Sequence, residues 1–190
     1  MQIQPTENPD LLILTPRRFH DPRGFFVESY NRQRLATHGL VYDFVQDNLS
    51  LSTKVGTVRG LHFQRPPTAQ AKLVSVLRGA IFDVAVDLRQ GSPFYGRSVA
   101  VRLSAEEGNQ LMIPTGFAHG FCTLEPETVV AYKVDAPYSA EDDDGLHWAD
   151  PALGIDWPVT EAEAELSAKD RCLPKWAEVS RCFVYNQTAK

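Results

Sequence analysis

Apolar and polar residues alternate with a period of two through the middle of the chain. In IFDVAVDLR, Phe82, Val84, Val86 and Leu88 fall on one side of an extended segment and Ile81, Asp83, Ala85 and Asp87 on the other, which is the period of a strand and not of a helix. SVAVRLS aligns Val99, Val101 and Leu103, and TVVAYKV aligns Val130, Tyr132 and Val134 against Lys133. β-branched residues are plentiful in these runs and fit a pleated, half-buried surface. All three predict strands, the first with one strongly apolar face. Turn chemistry separates them: Gly79, RQGSPFYG at 89–96, SAEEGN around Gly108, and IPTG at 113–116. Helix signals are few. Residues 28–39 predict one short helix, and TEAEAELSAKD at 160–170 predicts another, because Thr160 is followed three residues on by Glu163 in the reciprocal capping pattern. Short strands with a few peripheral helices predict an all-β jelly roll, sandwich or barrel. No repeat, low-complexity tract or linker divides the 190 residues, so a single domain over 1–190 is expected, large enough to bury a core without disulfides.

Composition narrows the function classes. With 43% hydrophobic and 23% charged residues the chain is far from disordered or collagen-like sequences. A net charge of -5 argues against a nucleic-acid binder. The acids gather in EDDD at 141–144 and EAEAE at 161–165 and read as solvated faces, whereas Arg17, Arg18, Arg23, Arg59, Arg65 and Lys72 supply the local cations an anionic ligand needs. Cys122, Cys172 and Cys182 form an odd set without a CxxC pair, as expected of free thiols in a reducing compartment. The N-terminal stretch lacks a basic region and offers only the apolar run at 11–14, so neither a secretory leader nor a membrane span is expected and the chain is placed in the cytoplasm.

The candidate chemistry lies in GTVRGLHFQRPPTAQAKLVSVLRG at 56–79 and in GNQLMIPTGFAH at 108–119. The spacing of Gly56 to His62, of Lys72 to Gly79, and of Gly108, Pro114, Gly116 and His119 resembles the two motifs of the cupin superfamily, which implies a cupin-type jelly-roll barrel. Metal-binding cupins use an HxH pair, a glutamate and the later histidine. Here Gln64 stands at the second histidine and Lys72 at the glutamate. An ammonium therefore replaces the metal's charge, so no metal is expected and Lys72 is read as stabilising an oxyanion beside His62.

A narrower likeness follows. RGLHFQ, AQAKLV, RGAIFDVAVDLRQGSPFYG, IPTGFAHGF, GLHWADPALGIDWP and LSAKD, with DPRGFFVE and QDNLS ahead of them, resemble the dTDP-4-dehydrorhamnose 3,5-epimerase family, in order, across residues 10–185. The resemblance implies inversion of C3 and C5 of dTDP-4-dehydro-6-deoxy-D-glucose with no cofactor. Both carbons flank the C4 ketone, so loss of either proton gives an enolate, and a base, an oxyanion partner and an acid on the opposite face suffice. It implies His62 as base, Asp170 as the carboxylate paired with it, Lys72 on the enolate and Tyr132 as the acid. Arg23, Phe26, Glu28, Gln46, Asn48 and Arg59 match nucleotide-binding positions, and Tyr138, Asp143 and Lys169 further substrate contacts. His119 faces the substrate by its motif position, the lesser alternative being a core histidine hydrogen-bonded at the barrel wall.

Two departures stand out: Pro137-Tyr138 replaces two adjacent tyrosines common in the family, and Asp143 replaces a frequent glutamate. The resemblance also implies a homodimer that exchanges an N-terminal strand, with residues 23–28 serving the neighbour's site. Three other readings remain: an epimerase acting at C3 or C5 alone, a non-catalytic sugar-binding cupin, and a metal-dependent cupin, which would need ligands that Gln64 and Lys72 do not supply. Geometry adds one expectation. Arg59 and His62 differ by three and would leave a regular strand on opposite faces, so a shared site requires an irregularity, and Gly60 is where the backbone permits it.

Overall fold

The structure is a computed structural model that describes residues 1–185. In chain order its strands are β1 (Gln2–Pro5), β2 (Leu12–Thr15), β3 (Arg18–Asp21), β4 (Gly24–Val27), β5 (Gln46–Ser52), β6 (Val58–Gln64), β7 (Lys72–Arg78) and β8 (Ala80–Asp87). They continue with β9 (Arg89–Gln90), β10 (Ser98–Ser104), β11 (Gln110–Ile113), β12 (Phe117–Thr123), β13 (Thr128–Val134), β14 (Asp143–Gly145) and β15 (Phe183–Val184). Two helices, α1 (Arg32–Ala36) and α2 (Ala168–Arg171), lie at the periphery. A six-stranded sheet ordered β1-β2-β11-β7-β13-β5 faces a five-stranded sheet ordered β10-β8-β12-β6-β14, and β3–β4 forms a separate hairpin. Within both large sheets every pairing is antiparallel. This is the all-β sandwich expected, and SVAVRLS and TVVAYKV are β10 and β13 residue for residue.

The core between the sheets draws Val74 and Val76 from β7, Ile81 and Ala85 from β8, Leu103 from β10, Leu111 from β11, and Phe117 and Phe121 from β12. Burying each of these side chains larger than alanine stabilises the fold by roughly 1.5–3 kcal/mol. β8 departs from the one-sided strand predicted. Ile81 and Ala85 enter this core while Val84 and Val86 on the opposite face pack under Leu61, Phe63, Leu146 and Leu153, so the C-terminal segment covers the outside of the sheet. A central strand covered on both faces must bury its polar residues as well, and Asp83 and Asp87 are both fully buried.

The helical expectations are met in part. α1 falls within 28–39 and is capped by Asn31, whose side chain accepts from the Arg34 amide. The Thr160–Glu163 cap forms, with the Glu163 carboxylate accepting from both the amide and the hydroxyl of Thr160. No helix runs through 160–170, however. Glu165 pairs instead with the 56–58 backbone, Glu165 N–H donating to Gly56 O and Val58 N–H to Glu165 O, and only α2 is helical. A local cap is weaker than a cross-chain ladder that also buries Ala164 against Val58 and Trp148. Nor is EDDD a bare solvated face: Asp142 accepts from Thr68 and Ser139, Asp144 from Ser180, and Asp143 from Tyr138.

Among the described residues no helix is long and apolar enough to cross a membrane.

Candidate active site

A cavity of about 540 Å³ opens between the sheets, lined from one side by β5, β7 and β13 and from the other by β6, β12 and β14. Strand periodicity selects the lining. On β5, Gln46, Asn48 and Ser50 turn inward while Asp47, Leu49 and Leu51 turn out. On β7, Lys72 shares a face with Val74 and Val76, so the inward apolar row ends in an ammonium at the cavity wall. On β12, His119 sits between Phe117 and Phe121 on the core face.

β6 carries the irregularity that the Arg59–His62 spacing required. Against β12, His62 pairs with His119 and Arg59 with Phe121, so two residues of β6 oppose one of β12 between these pairs. Before the bulge Arg59 points to the cavity; after it, His62 and Gln64 do, while Leu61 and Phe63 go to the outer core. Glycine is required here twice over. Gly60 has φ +120°, and a Cβ on it would lie 2.6 Å from Gly120 Cα.

The half-exposed His62 ring meets a buried carboxylate: Nε2 lies 2.6 Å from Asp170 Oδ1. α2 supplies Asp170 because Ser167 caps the helix, its hydroxyl accepting from the Asp170 amide. Burial pushes the Asp170 carboxyl upward, but hydrogen bonds from His62 and Ser167 outweigh it and hold the group below the usual carboxylate range. An ionised Asp170 fixes the ring tautomer: Nε2–H donates to the carboxylate, which leaves the Nδ1 lone pair as the free base. Lys72 is buried and donates from Nζ to the His62 carbonyl at 3.2 Å, and burial pushes its ammonium down to about 8, with Asp83 and Asp143 opposing that shift. Tyr132, opposite Asn48 in the β13–β5 ladder, reaches the same cavity, and burial raises its phenol so that it keeps its proton near neutrality.

Around these groups Arg59 is anchored by Ser52 Oγ and Leu51 O, and Gln46 donates to Asn48. Tyr138 O–H donates to Asp143, which also takes the Lys169 ammonium, so one carboxylate joins two residues at the mouth. The Asp143 bond raises the Tyr138 phenol as well. His119 donates or accepts at Nε2, 2.8 Å from Asp83 Oδ1, in a fully buried pair. His119 is thus at once bonded into the wall and part of the cavity lining. Gln64 is committed elsewhere: Nε2 donates to Thr68 O and Pro137 O, and Oε1 accepts from the Ser139 amide. Among the described residues no group of three or more His, Cys, Asp or Glu side chains is arranged to hold a metal.

The chain therefore brings together His62, Asp170, Lys72, Tyr132, Arg59, Gln46, Asn48, His119, Tyr138, Asp143 and Lys169. It does not bring Arg23, Phe26 or Glu28 to its own cavity. These stand on or beside the β3–β4 hairpin, where Arg23 pairs with Asp21, Phe26 is 69% exposed and Glu28 pairs with Arg34. Sequence reading missed Ser50, Ser167 and Asp83. Ser167 was visible as a serine three residues before an aspartate, and Asp83 as a carboxylate on a strand face shared with Ile81 and Ala85.

The family model described as dTDP-4-dehydrorhamnose 3,5-epimerase matches residues 5–178. A protein of that description from Sinorhizobium fredii is 50% identical over 97% of this chain and 94% of its own length. Two solved structures are similar. One is dTDP-4-dehydrorhamnose 3,5-epimerase from Bacillus anthracis with TDP and PPi bound, 53% identical with TM-score 0.89 over 92% of this chain and 98% of its own. The other is the Legionella pneumophila dTDP-6-deoxy-D-glucose-3,5-epimerase in complex with dTDP-4-keto-L-rhamnose, 42% identical with TM-score 0.92 over 97% and 98%.

Proposed function

Because this chain belongs to the dTDP-4-dehydrorhamnose 3,5-epimerase family, we propose that it inverts C3 and C5 of dTDP-4-dehydro-6-deoxy-D-glucose to give dTDP-4-dehydro-L-rhamnose. The observation that carries the reading is one cavity lined by a histidine oriented by a buried carboxylate, a buried lysine and a protonated tyrosine. His62 Nδ1 takes the proton from C3 or C5, and the electron pair passes to the C4 ketone oxygen, where Lys72 stabilises the enolate. Tyr132 returns a proton to the opposite face. Exchange with solvent restores both groups, so each inversion carries a solvent hydrogen into the product. Asp170 keeps His62 in the basic tautomer.

Arg59 and Lys169 answer the pyrophosphate, as paired cations do at phosphates. Gln46 and Asn48 offer polar groups to the nucleotide, Tyr138 a ring to stack on it, and Asp143 and His119 hydrogen bonds to the sugars. Arg23, Phe26 and Glu28 serve the site of a second copy in a homodimer. Support for that pairing comes from the apolar surface the single chain leaves open: Phe25, Phe26, Leu49 and Leu77 are 53%, 69%, 69% and 60% exposed. A cytoplasmic setting agrees with the three free thiols of Cys122, Cys172 and Cys182.

The test is turnover of dTDP-4-dehydro-6-deoxyglucose in deuterated water by metal-stripped protein, read by NMR. Deuterium at both carbons with a rhamno-configured product is expected. Uptake at one carbon would make it an enzyme of single inversion, and uptake at neither would leave a sugar-binding barrel.

A further inference from the structure

Beside the cavity lies a histidine–carboxylate pair whose carboxylate the reaction above leaves without a role. Asp83 on β8 is fully buried, on the face that carries Ile81 and Ala85 into the core between the sheets. Its Oδ1 is bonded to His119 Nε2 at 2.8 Å, and its Oδ2, although buried, has no hydrogen-bond partner among the described residues. A half-satisfied carboxylate in such surroundings is costly unless a positive charge answers it. Lys72 on β7, in the facing sheet, is buried at the cavity that His119 lines and brings the opposite charge into the same interior. Burial works against the Lys72 ammonium, and Asp83 is the strongest of the charges that work for it.

The geometry points to Asp83 as a positioning residue of the epimerisation, which fixes His119 with Nδ1 left for the bound sugar and supplies the buried charge that holds Lys72 as an ammonium where the enolate oxygen forms. The inference rests on the epimerase reading, since the enolate is the reason for a charged lysine. It assigns the two carboxylates different work. Asp170 serves the base, and Asp83 serves the oxyanion side.

The groups around Lys72 give the sign of the pH effect. His62 on β6 presents its carbonyl and its ring, His119 on β12 and Tyr132 on β13 line the same wall, Asp143 beside β6 adds negative charge, and Lys169 on α2 adds positive charge. Without the Asp83 charge, Asp143 alone opposes burial and Lys169, so Lys72 gives up its proton at lower pH. The alkaline limb of kcat then moves down by about one pH unit.

Two measurements test this on the full chain. In Asp83→Asn, kcat near pH 8 should fall about 5- to 10-fold, with KM within about 3-fold and the alkaline limb displaced to lower pH. Asp83→Glu, which keeps the charge, should restore the limb. In the unsubstituted protein, nitrogen-15 NMR of histidine, assigned by the signal lost in His119→Gln, should show the His119 proton on Nε2. That reading needs no turnover, so it decides even where Asp83→Asn fails to fold. It also separates this inference from the epimerase reading, which solvent deuterium tests. A proton on Nδ1 of neutral His119, or a kcat profile whose alkaline limb stays in place in Asp83→Asn, overturns the assignment.

Discussion

His62–Asp170 and His119–Asp83 are both bonded through the ring Nε2, at 2.6 and 2.8 Å, yet they belong to different kinds of structure. The second pair lies across adjacent strands of one ladder, where Phe121 pairs with Asp83 and His119 with Ala85, and its side chains are 7% and 0% exposed. The first joins β6 to a four-residue helix 108 residues away, and its histidine is 32% exposed. A pair locked in a ladder can hold a charge. A pair closed by a peripheral helix and open on one side can exchange a proton with whatever enters the cavity. Lys72 stands between them, hydrogen-bonded to the backbone of His62 and attracted by Asp83.

Removing the exposed base should have the largest effect. His62→Ala is expected to lower kcat about 10⁴-fold and abolish solvent deuterium uptake at both carbons, with a lower melting temperature because the buried Asp170 carboxylate loses its partner. Next comes the group between the pairs. Lys72→Met should cost about 10³-fold in kcat. The folded chain holds the Lys72 pKa at about 8, below the ordinary 10.5. Between those values the unfolded state binds more protons, so stability rises with pH there, and at neutral pH the buried ammonium detracts from stability. Calorimetry of the unsubstituted enzyme should record a melting temperature that rises as pH increases from about 8, while its kcat declines over the same range.

Asp170→Asn should cost about 10²-fold in kcat through loss of the basic tautomer. Its carboxyl is held low in the folded state, so it contributes stability above the ordinary carboxylate value of 3.8 and loses it as pH falls through the folded one. The variant's melting temperature should therefore fall less steeply on acidification than that of the parent. The smallest effect is expected at the mouth. Asp143→Asn frees Tyr138 and Lys169 from their common partner and should raise KM about 3-fold, since exposed ion pairs contribute only about 0–1 kcal/mol.

The parts of this molecule governed by period-two alternation were legible in the sequence. β10 and β13 follow directly from their apolar spacing, and the β6 bulge follows from the odd separation of Arg59 and His62 together with Gly60. Family motifs singled out His62, Asp170, Lys72 and Tyr132, and all four line one cavity. What escaped depends on contacts distant in sequence. Asp83 alternates like an outward polar residue, but its face, shared with Ile81 and Ala85, is the one that meets the core between the sheets, while the Val84 and Val86 face is covered by the C-terminal segment. The 160–170 segment carries a helix cap, but its fate is decided by backbone bonds to 56–58. Arg23, Phe26 and Glu28 match a binding motif, while one chain's own topology holds their hairpin away from its cavity.

Gln64 sets a barrier to redesign. Its amide joins the 65–70 and 137–139 loops to β6 through two donated bonds and one accepted bond. A grafted imidazole has only one donor and one acceptor when neutral, and a nitrogen given to a cation would serve neither loop. Turning this barrel into a metalloenzyme is thus a loop-rebuilding problem before it is one of coordination. An evolutionary passage between metal-free and metal-bound relatives would have to remodel those loops before the ligand exchange could be tolerated.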